Sequence, residues 1–278
     1  MSESDFNVNE ARKFTVTIRK NILRTIASKG KGHVGGSLSI ADLLAVLYSG
    51  VMNIDPSDPK KPDRDYIVVS KGHAGPALYA TLAAKGYFPE EMLDTLNQNN
   101  TNLPSHTDRL KTPGVDISTG SLGQGASLAA GAAFSDQLNH SRNYTYLILG
   151  DGELDEGQIW ETFLFAAQRH LSHLITFVDK NGKQLDGTTD EICSLGDISA
   201  KFKAFGCNTI DVDNGNDCKE IYDAIARAKE ETEKPTVIVL HTIKGAGIRD
   251  YETMANCHST SVKKTDLERY YKELDDRL

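Results

Sequence analysis

The sequence contains few cysteines and no excess of positive charge. Its 278 residues include only four cysteines, Cys193, Cys207, Cys218 and Cys257, and no two of them form a C-x-x-C pair. This spacing argues against a disulfide framework and favours a reduced, cytoplasmic protein. The net charge of −8 argues against a basic binding face. Nucleic acids and anionic membranes are therefore not expected as partners.

The sequence also lacks long hydrophobic runs. Residues 1–9 are polar and carry acids, so no signal peptide is expected at this end. The longest uncharged window, residues 117–135, contains glycines, serines and Gln124, which make it too polar to span a membrane. No repeat, low-complexity tract or linker interrupts the sequence. We therefore predict one domain over residues 1–278.

What the sequence does contain is a regular alternation of short apolar runs with helical segments. The predicted strands are residues 65–70, 144–149, 174–178, 208–212 and 236–240. Residues 153–168, which lie between two of these runs, carry apolar side chains at helical spacing and predict a βαβ unit. Strands that alternate with helices predict an α/β fold, with a mostly parallel central sheet and helices on both faces.

Two polar side chains follow neighbouring predicted strands. Asp151 stands between Gly150 and Gly152 after one strand, and Asn181 follows the next strand along the chain. Because parallel strands present their carboxyl ends at one edge of a sheet, these two side chains are expected to lie side by side. Carboxylate and amide oxygens suit Mg²⁺, or Ca²⁺ or Mn²⁺ in its place, and Mg²⁺ completes its shell with phosphate and water oxygens. The pair therefore predicts a phosphate-bearing cofactor.

The segment around this pair resembles the thiamine diphosphate motif of transketolases. Residues 150–157 match Gly-Asp-Gly-x-x-x-Glu-Gly, and residues 181–187 match Asn-Gly-x-x-x-Asp-Gly. The resemblance implies that Asp151 and Asn181 bind Mg²⁺ through their side chains and that Lys183 adds a backbone carbonyl. It also places Glu156 and Glu161 at a dimer contact beside the cofactor. The alternative is an ordinary βαβ unit in which Asp151 and Asn181 serve only the turns, and the extended motif argues against it.

Further loops resemble other parts of the same family. The cofactor-lining segment Thr-Gly-x-Leu-Gly-Gln-Gly is matched by residues 119–125, which assigns Gly120, Ser121 and Leu122 to cofactor binding. Family histidines of the active site are matched by His33, His73, His106 and His258. The resemblance makes His73 a diphosphate contact and the other three candidates for moving protons at sugar hydroxyls. Two of these matches are partial, because different neighbours flank His106 and because Ser259 replaces the usual glycine after His258.

Three local patterns near these loops carry separate predictions. Residues 30–35 read G-x-G-x-x-G, but they follow the predicted helix of residues 8–29 rather than a strand, which excludes a dinucleotide fingerprint. Ser39 is predicted to cap the helix of residues 40–48. Lys244 leaves the last strand at the ligand-binding edge, where it is either a diphosphate contact or a solvated lysine.

The resemblance covers residues from about Val8 onward, but only the first domain of a transketolase. Thiamine diphosphate activation in this family needs a glutamate on a pyrimidine-binding domain, which a full-length transketolase carries after this segment. The expected protein is therefore the N-terminal subunit of a split transketolase, completed by a C-terminal subunit, with two copies of each chain. It would transfer a two-carbon glycolaldehyde unit between sugar phosphates.

The sequence leaves the substrates and two other functions open. The donor is either a pentose or heptulose phosphate or a branched, modified or sulfonated sugar of a dedicated pathway. One alternative function is the cofactor-binding subunit of a 2-oxo-acid decarboxylase or dehydrogenase, which shares the pattern from Asp151 to Asn181. The other is a non-catalytic thiamine diphosphate-binding module. The loops at His33 and His73 favour the transketolase.

Overall fold

A five-stranded parallel sheet organises residues 6–278, the part of the chain that this computed structural model describes. Residues 1–5, part of the polar stretch interpreted above as lacking a signal peptide, lie outside it. The strands are β1 (Lys31–Gly32), β2 (Tyr66–Val69), β3 (Thr145–Gly150), β4 (Leu174–Lys180), β5 (Asn208–Val212), β6 (Thr236–His241) and β7 (Thr260–Ser261). The large sheet has the order β2-β3-β4-β6-β5, and all its pairings are parallel. Strands β1 and β7 form a separate antiparallel pair.

Helices fill most of the connections between the strands. They are α1 (Val8–Lys29), α2 (Val34–Leu38), α3 (Ala41–Val46), α4 (Gly75–Ala84), α5 (Gln124–Leu138), α6 (Gly157–Gln168), α7 (Thr189–Cys193), α8 (Ile198–Ala204), α9 (Cys218–Glu230), α10 (Arg249–Glu252) and α11 (Leu267–Asp275). A π-helical turn, Leu47–Val51, extends α3, and short 3₁₀ helices span Gly72–Ala74, Glu90–Thr95, Gly152–Asp155 and Lys264–Asp266.

The sheet has a hydrophobic core on each face. Alternate strand residues point to opposite sides, so that Ile67 and Val69 of β2 join one core while Val68 joins the other. Helices α1, α3, α4 and α9 contribute to the first core, and α5, α6 and α8 contribute to the second. The predicted α/β fold with helices on both faces is therefore confirmed.

Helix α1 has the bounds predicted from the sequence. Asn7 caps its start, because the side chain accepts hydrogen bonds from the backbone of Asn9 and Glu10. Its buried face includes Ile22 and Ile26, which pack in the first core. The helix ends at Gly30, whose φ of +85° is the left-handed conformation that glycine favours at this position. The chain then turns into the loop that carries His33.

The prediction that Ser39 caps helix α3 is wrong. Helix α3 begins at Ala41 after Ile40, and no side chain caps it. The Ser39 hydroxyl instead donates to the carboxylate of Asp179 at 2.7 Å. This partner lies 140 positions away in the chain, so local sequence rules could not identify it.

One stretch of the described chain, Val34–Val51, is helical, long and apolar enough to cross a membrane by length and composition alone. Inside this fold 89% of the stretch is buried, and core helices pass the same test. The window of residues 117–135, by contrast, supplies much of α5, whose buried side consists of Gly125, Ala126, Ala129, Ala130 and Ala133. These small residues let the helix pack closely on the sheet.

Candidate active site

The site lies where β3 and β4 end side by side. Gly150 of β3 is paired with Asp179 of β4, so the residues that follow the two strands meet at one edge of the sheet. The Asp151 carboxylate accepts a hydrogen bond from the Gly152 amide at 2.9 Å and another from the Gly182 amide at 2.6 Å. Asp151 is therefore joined to the loop that carries Asn181, as the predicted βαβ unit requires.

The oxygens at this edge are of the kind that bind Mg²⁺. Asp151 is only 3% exposed, and burial, followed by the nearby Asp179 carboxylate, raises its pKa to about 6. A buried carboxylate destabilised in this way would be stabilised by a cation. Each of its oxygens accepts one backbone hydrogen bond and keeps a further lone pair. The residues present thus fit a small, hard cation.

A cation site at Asp151 must be completed by oxygen atoms that do not come from further carboxylates. Among residues 6–278, no three His, Cys, Asp or Glu side chains cluster in a way that could hold a metal. The predicted ligand set contains only one such side chain, Asp151, together with the Asn181 amide and the Lys183 carbonyl. A cation bound here would therefore need oxygen ligands from phosphate and water, and Mg²⁺ sites in proteins are usually completed in this way.

Lys244 is buried beside the predicted ligands. Only 4% of the residue is exposed, and its ammonium group donates to the Lys183 carbonyl at 2.7 Å. Burial, followed by the charge of Lys71, lowers the pKa of Lys244. The interpretation of Lys244 as a solvated lysine is therefore wrong, whereas the diphosphate contact remains a prediction. The buried Lys244 ammonium at this edge of the sheet favours an anionic ligand, because the charge of Lys71 is already balanced by Asp179.

The four predicted histidines come together. Ring centroids lie 5.5 Å apart for His33 and His73, 6.0 Å for His33 and His106, 5.4 Å for His33 and His258, and 4.7 Å for His73 and His258. They come from four separate segments, and the pairing of β1 with β7 brings the His33 and His258 segments together. The partial sequence matches at His106 and His258 thus correspond to residues of the same cluster.

Burial favours the neutral form of three of these histidines. It lowers the pKa of His73 to about 2, with Lys71 as the next cause, and the pKa of His258 to about 4, with Lys244 as the next cause. The pKa of His33 is lowered by burial and then by His106. A neutral imidazole has one donor and one acceptor nitrogen. A neutral ring can therefore accept a hydrogen bond through one nitrogen and donate one through the other at a substrate hydroxyl.

A cavity of about 200 Å³ opens between the strand ends and the histidines. Its lining residues include Gly36, His73, Leu122, Asp151, Asn181, Lys183, Lys244 and His258. Gly120 lies against this region too, since a Cβ on it would stand 3.3 Å from the His106 side chain. Ser121 and Glu156, also predicted to bind the cofactor, are exposed, and Glu156 precedes the first turn of α6.

Sequence reasoning missed three buried charged residues under the cavity. Lys71 and Asp179 form an ion pair at 2.5 Å, in which both side chains are at most 2% exposed. The Glu153 carboxylate accepts hydrogen bonds from the Ser70 hydroxyl and from the Gly123 and Gly150 amides. Lys71 and Asp179 directly follow predicted strands and Glu153 begins the predicted helix of residues 153–168, which was the available signal. Their partners, however, lie on other segments.

Comparison with known proteins places this geometry in a family. The family described as transketolase, thiamine diphosphate binding domain, matches residues 11–275. A 6-deoxy-6-sulfo-D-fructose transketolase subunit of Clostridium sp. (strain MSTE9) is 54% identical over 230 residues, which cover 83% of each chain. An apulose-4-phosphate transketolase subunit of Actinobacillus succinogenes is 37% identical over 99% of this chain and 100% of its own.

Solved transketolases contain the same fold, but each of them is a longer protein than this chain. The transketolase from Leishmania mexicana superposes with a TM-score of 0.90 and 31% identity over 95% of this chain. The transketolase from Campylobacter jejuni superposes with a TM-score of 0.90 and 28% identity over 98% of this chain. The chain covers only 41% and 43% of the lengths of these two proteins.

Proposed function

The chain belongs to the transketolase family, in which it matches the thiamine diphosphate-binding domain, and we propose that it acts as the N-terminal subunit of a two-chain transketolase. The family assignment made from the sequence is thereby confirmed. The subunit role is supported by the two relatives above, which are named as subunits and are covered by this chain over 83% and 100% of their lengths. The observation that carries the proposal is the meeting of Asp151, Asn181, His73 and His258 at one cavity, with His33 and His106 in the same cluster of rings.

The residues of this chain would hold the cofactor through its diphosphate and metal. Asp151, Asn181 and the Lys183 carbonyl would bind Mg²⁺, while His73 and Lys244 would contact the diphosphate oxygens. When bound, thiamine diphosphate supplies a nucleophile and an electron sink for breaking the carbon–carbon bond next to a ketose carbonyl. His33, His106 and His258 would then exchange protons with the sugar hydroxyls, because His258 lines the cavity and His33 and His106 belong to the same cluster of rings.

The cavity is small for the ligands that it would hold. Sites for drug-sized molecules usually enclose roughly 300–1,000 Å³, and the cavity here has about 200 Å³. We therefore propose that a second chain, which carries the pyrimidine-binding domain, supplies the missing wall. Two copies of each chain would form the complete enzyme, and its cytoplasmic location remains a prediction.

An exposed apolar surface on α5 and α6 fits such a partner. Leu128, Leu164 and Phe165 are 48%, 57% and 39% exposed, although large apolar side chains are usually buried. Glu161 is exposed on the same helix as two of them, and Glu156 is the exposed residue that precedes the first turn of that helix. These are the two glutamates that the family resemblance assigns to a contact beside the cofactor. We propose that this α5/α6 surface, formed by Leu128, Leu164 and Phe165, packs against the pyrimidine-binding subunit.

A sulfonated ketose is the proposed first donor to test. Identity to the subunit named for 6-deoxy-6-sulfo-D-fructose is 54%, compared with 37% and 34% for two apulose-4-phosphate subunits. The residues around His106, a predicted donor contact, also differ from the family pattern of pentose phosphate enzymes. Apulose 4-phosphate and ordinary pentose phosphates are the comparison donors.

Reconstitution from purified chains tests the proposal. With thiamine diphosphate and Mg²⁺, this chain alone should show no ketol transfer, whereas the chain mixed with a pyrimidine-binding subunit should transfer a glycolaldehyde unit to an aldose. The kcat/KM values with the sulfonated ketose, apulose 4-phosphate and a pentulose phosphate rank the donors. Robust transfer by the single chain would overturn the subunit role. Turnover of pyruvate with an artificial electron acceptor, without ketol transfer, would overturn the transketolase assignment.

A further inference from the structure

The Asp179 carboxylate connects four segments of the site. It accepts hydrogen bonds from Asn181 Nδ2 at 2.8 Å, Lys71 Nζ at 2.5 Å, Ser39 Oγ at 2.7 Å and from Thr242 Oγ1. Asn181 is itself the proposed metal ligand, and the other three donors belong to the loop of His73, the segment of His33 and the loop of Lys244. Asp179 itself is 1% exposed, so water contributes little to this network.

The charge of Asp179 decides how the Asn181 amide is turned. The Lys71 ammonium pairs with Asp179 at 2.5 Å, with both side chains at most 2% exposed, and such a buried ion pair requires Asp179 to be ionised. An ionised carboxylate only accepts hydrogen bonds, so the amide must present its nitrogen to Asp179. The amide oxygen then faces away, where it accepts a hydrogen bond from the Lys183 amide at 3.2 Å and keeps a further lone pair.

We propose that Asp179, held by Lys71, is a positioning residue that turns the oxygen of Asn181 toward the cation. Without that acceptor the amide could rotate and offer its NH₂ group, which cannot bind a cation. Partners that orient metal ligands in this way typically change metal affinity by roughly 10–100-fold when they are lost. The inference rests on the proposed function, since it assumes that a divalent cation binds at Asp151 and Asn181.

Two double variants separate orientation from charge and stability. Replacing Lys71 alone would leave a buried carboxylate without its partner, which is expected to destabilise the fold strongly. Both K71M/D179N and K71M/D179L remove the ion pair without changing net charge, and both lose the bond from Lys71 to the Gly36 carbonyl. D179N keeps a side-chain oxygen that can accept from Asn181, Ser39 or Thr242, and D179L keeps none. The main-chain carbonyl of residue 179, which lies 3.4 Å from Asn181 Nδ2, is present in both variants.

Mn²⁺ binding to the reconstituted two-chain enzyme, with thiamine diphosphate present, gives the readout by electron paramagnetic resonance. We expect K71M/D179N to bind Mn²⁺ nearly as well as the wild type and K71M/D179L to bind roughly 10–100-fold more weakly. Equal affinity of the two variants, whether both are strong or both are weak, would overturn the inference. If the wild type bound neither Mn²⁺ nor thiamine diphosphate, the proposed function would fail together with it.

Hydrogen exchange in the wild type provides a test that does not depend on a variant's stability. The side-chain NH₂ signal of Asn181, identified by its loss in N181S, should exchange more slowly than that of the exposed Asn100. It should remain slow in K71M/D179N and become fast in K71M/D179L if the latter folds. Exchange of the Asn181 amide in the wild type as fast as that of Asn100 would overturn the inference without affecting the proposed function.

Discussion

Replacing Gly72 with alanine should force two site loops apart. A Cβ on Gly72 would stand 2.7 Å from the Gly120 amide nitrogen and 2.8 Å from both the carbonyl carbon and the hydroxyl of Thr119. Thr119 has little freedom to move, since its hydroxyl donates to the Val69 carbonyl at 2.8 Å and bonds the Thr107 hydroxyl at 2.8 Å. Overpacking of this kind costs about 1–3 kcal/mol. The variant should also bind thiamine diphosphate more weakly, because Gly72 lies next to His73.

Urea denaturation of the purified chain measures this cost, and G131A is the matched control. Gly131 lies on the exposed side of α5, and no atom lies within 4 Å of the position that an added methyl group would take. The same methyl should therefore stabilise this helix by about 0.5–1 kcal/mol. The two variants should thus change the free energy of unfolding in opposite directions at an unchanged m-value. A change below about 0.5 kcal/mol in G72A, the size of an ordinary surface substitution, would refute the close approach of the two loops.

Two further predictions concern the partner surface and the histidine cluster. L164E should abolish co-purification with the pyrimidine-binding subunit. It should not change the thermal stability of the isolated chain, because Leu164 is 57% exposed. The control L278E alters a leucine that is 62% exposed near the opposite face of the sheet, and this variant should co-purify normally. Equal loss in both variants would contradict the assigned surface. The pKa of His73 is about 2 in the folded chain and near 6.5 in the unfolded chain. Between pH 2 and pH 6.5 the unfolded state therefore binds more protons than the folded state. The free energy of unfolding should thus fall as the pH drops below about 6.5. H73N should make this decline shallower by up to about 1.4 kcal/mol per pH unit in urea denaturation series, and parallel curves for H73N and the wild type would contradict it.

The sequence pattern predicted the strand ends that carry Asp151 and Asn181, because strand bounds depend mainly on neighbouring residues in the chain. Short apolar runs ending at polar residues located the strands, and parallel pairing then brought Asp151 next to the loop of Asn181. Helix α1 was predicted with its observed bounds, since apolar residues recur at helical spacing along it and Gly30 ends it. The four histidines, in contrast, were assigned by family resemblance, and the geometry brings them together.

Contacts between distant segments could not be predicted in this way. Ser39 was expected to cap a helix, whereas it bonds Asp179, which is remote in the sequence. Lys244 could not be distinguished from a solvated lysine, because its burial depends on the loop of Lys183. The ion pair between Lys71 and Asp179 was missed for the same reason: a single sequence shows which side chains are charged but not which of them meet inside the fold.

Calorimetric titration of the reconstituted two-chain enzyme with thiamine diphosphate tests the central claim most directly. Asp151 is buried at the proposed cation site, whereas Asp155 is an exposed acid on the same turn, so D151N and D155N remove the same charge from different places. Binding should require Mg²⁺, persist in D155N and be lost in D151N although the variant remains folded. Tight binding without a divalent cation, or undiminished binding by D151N, would contradict the account.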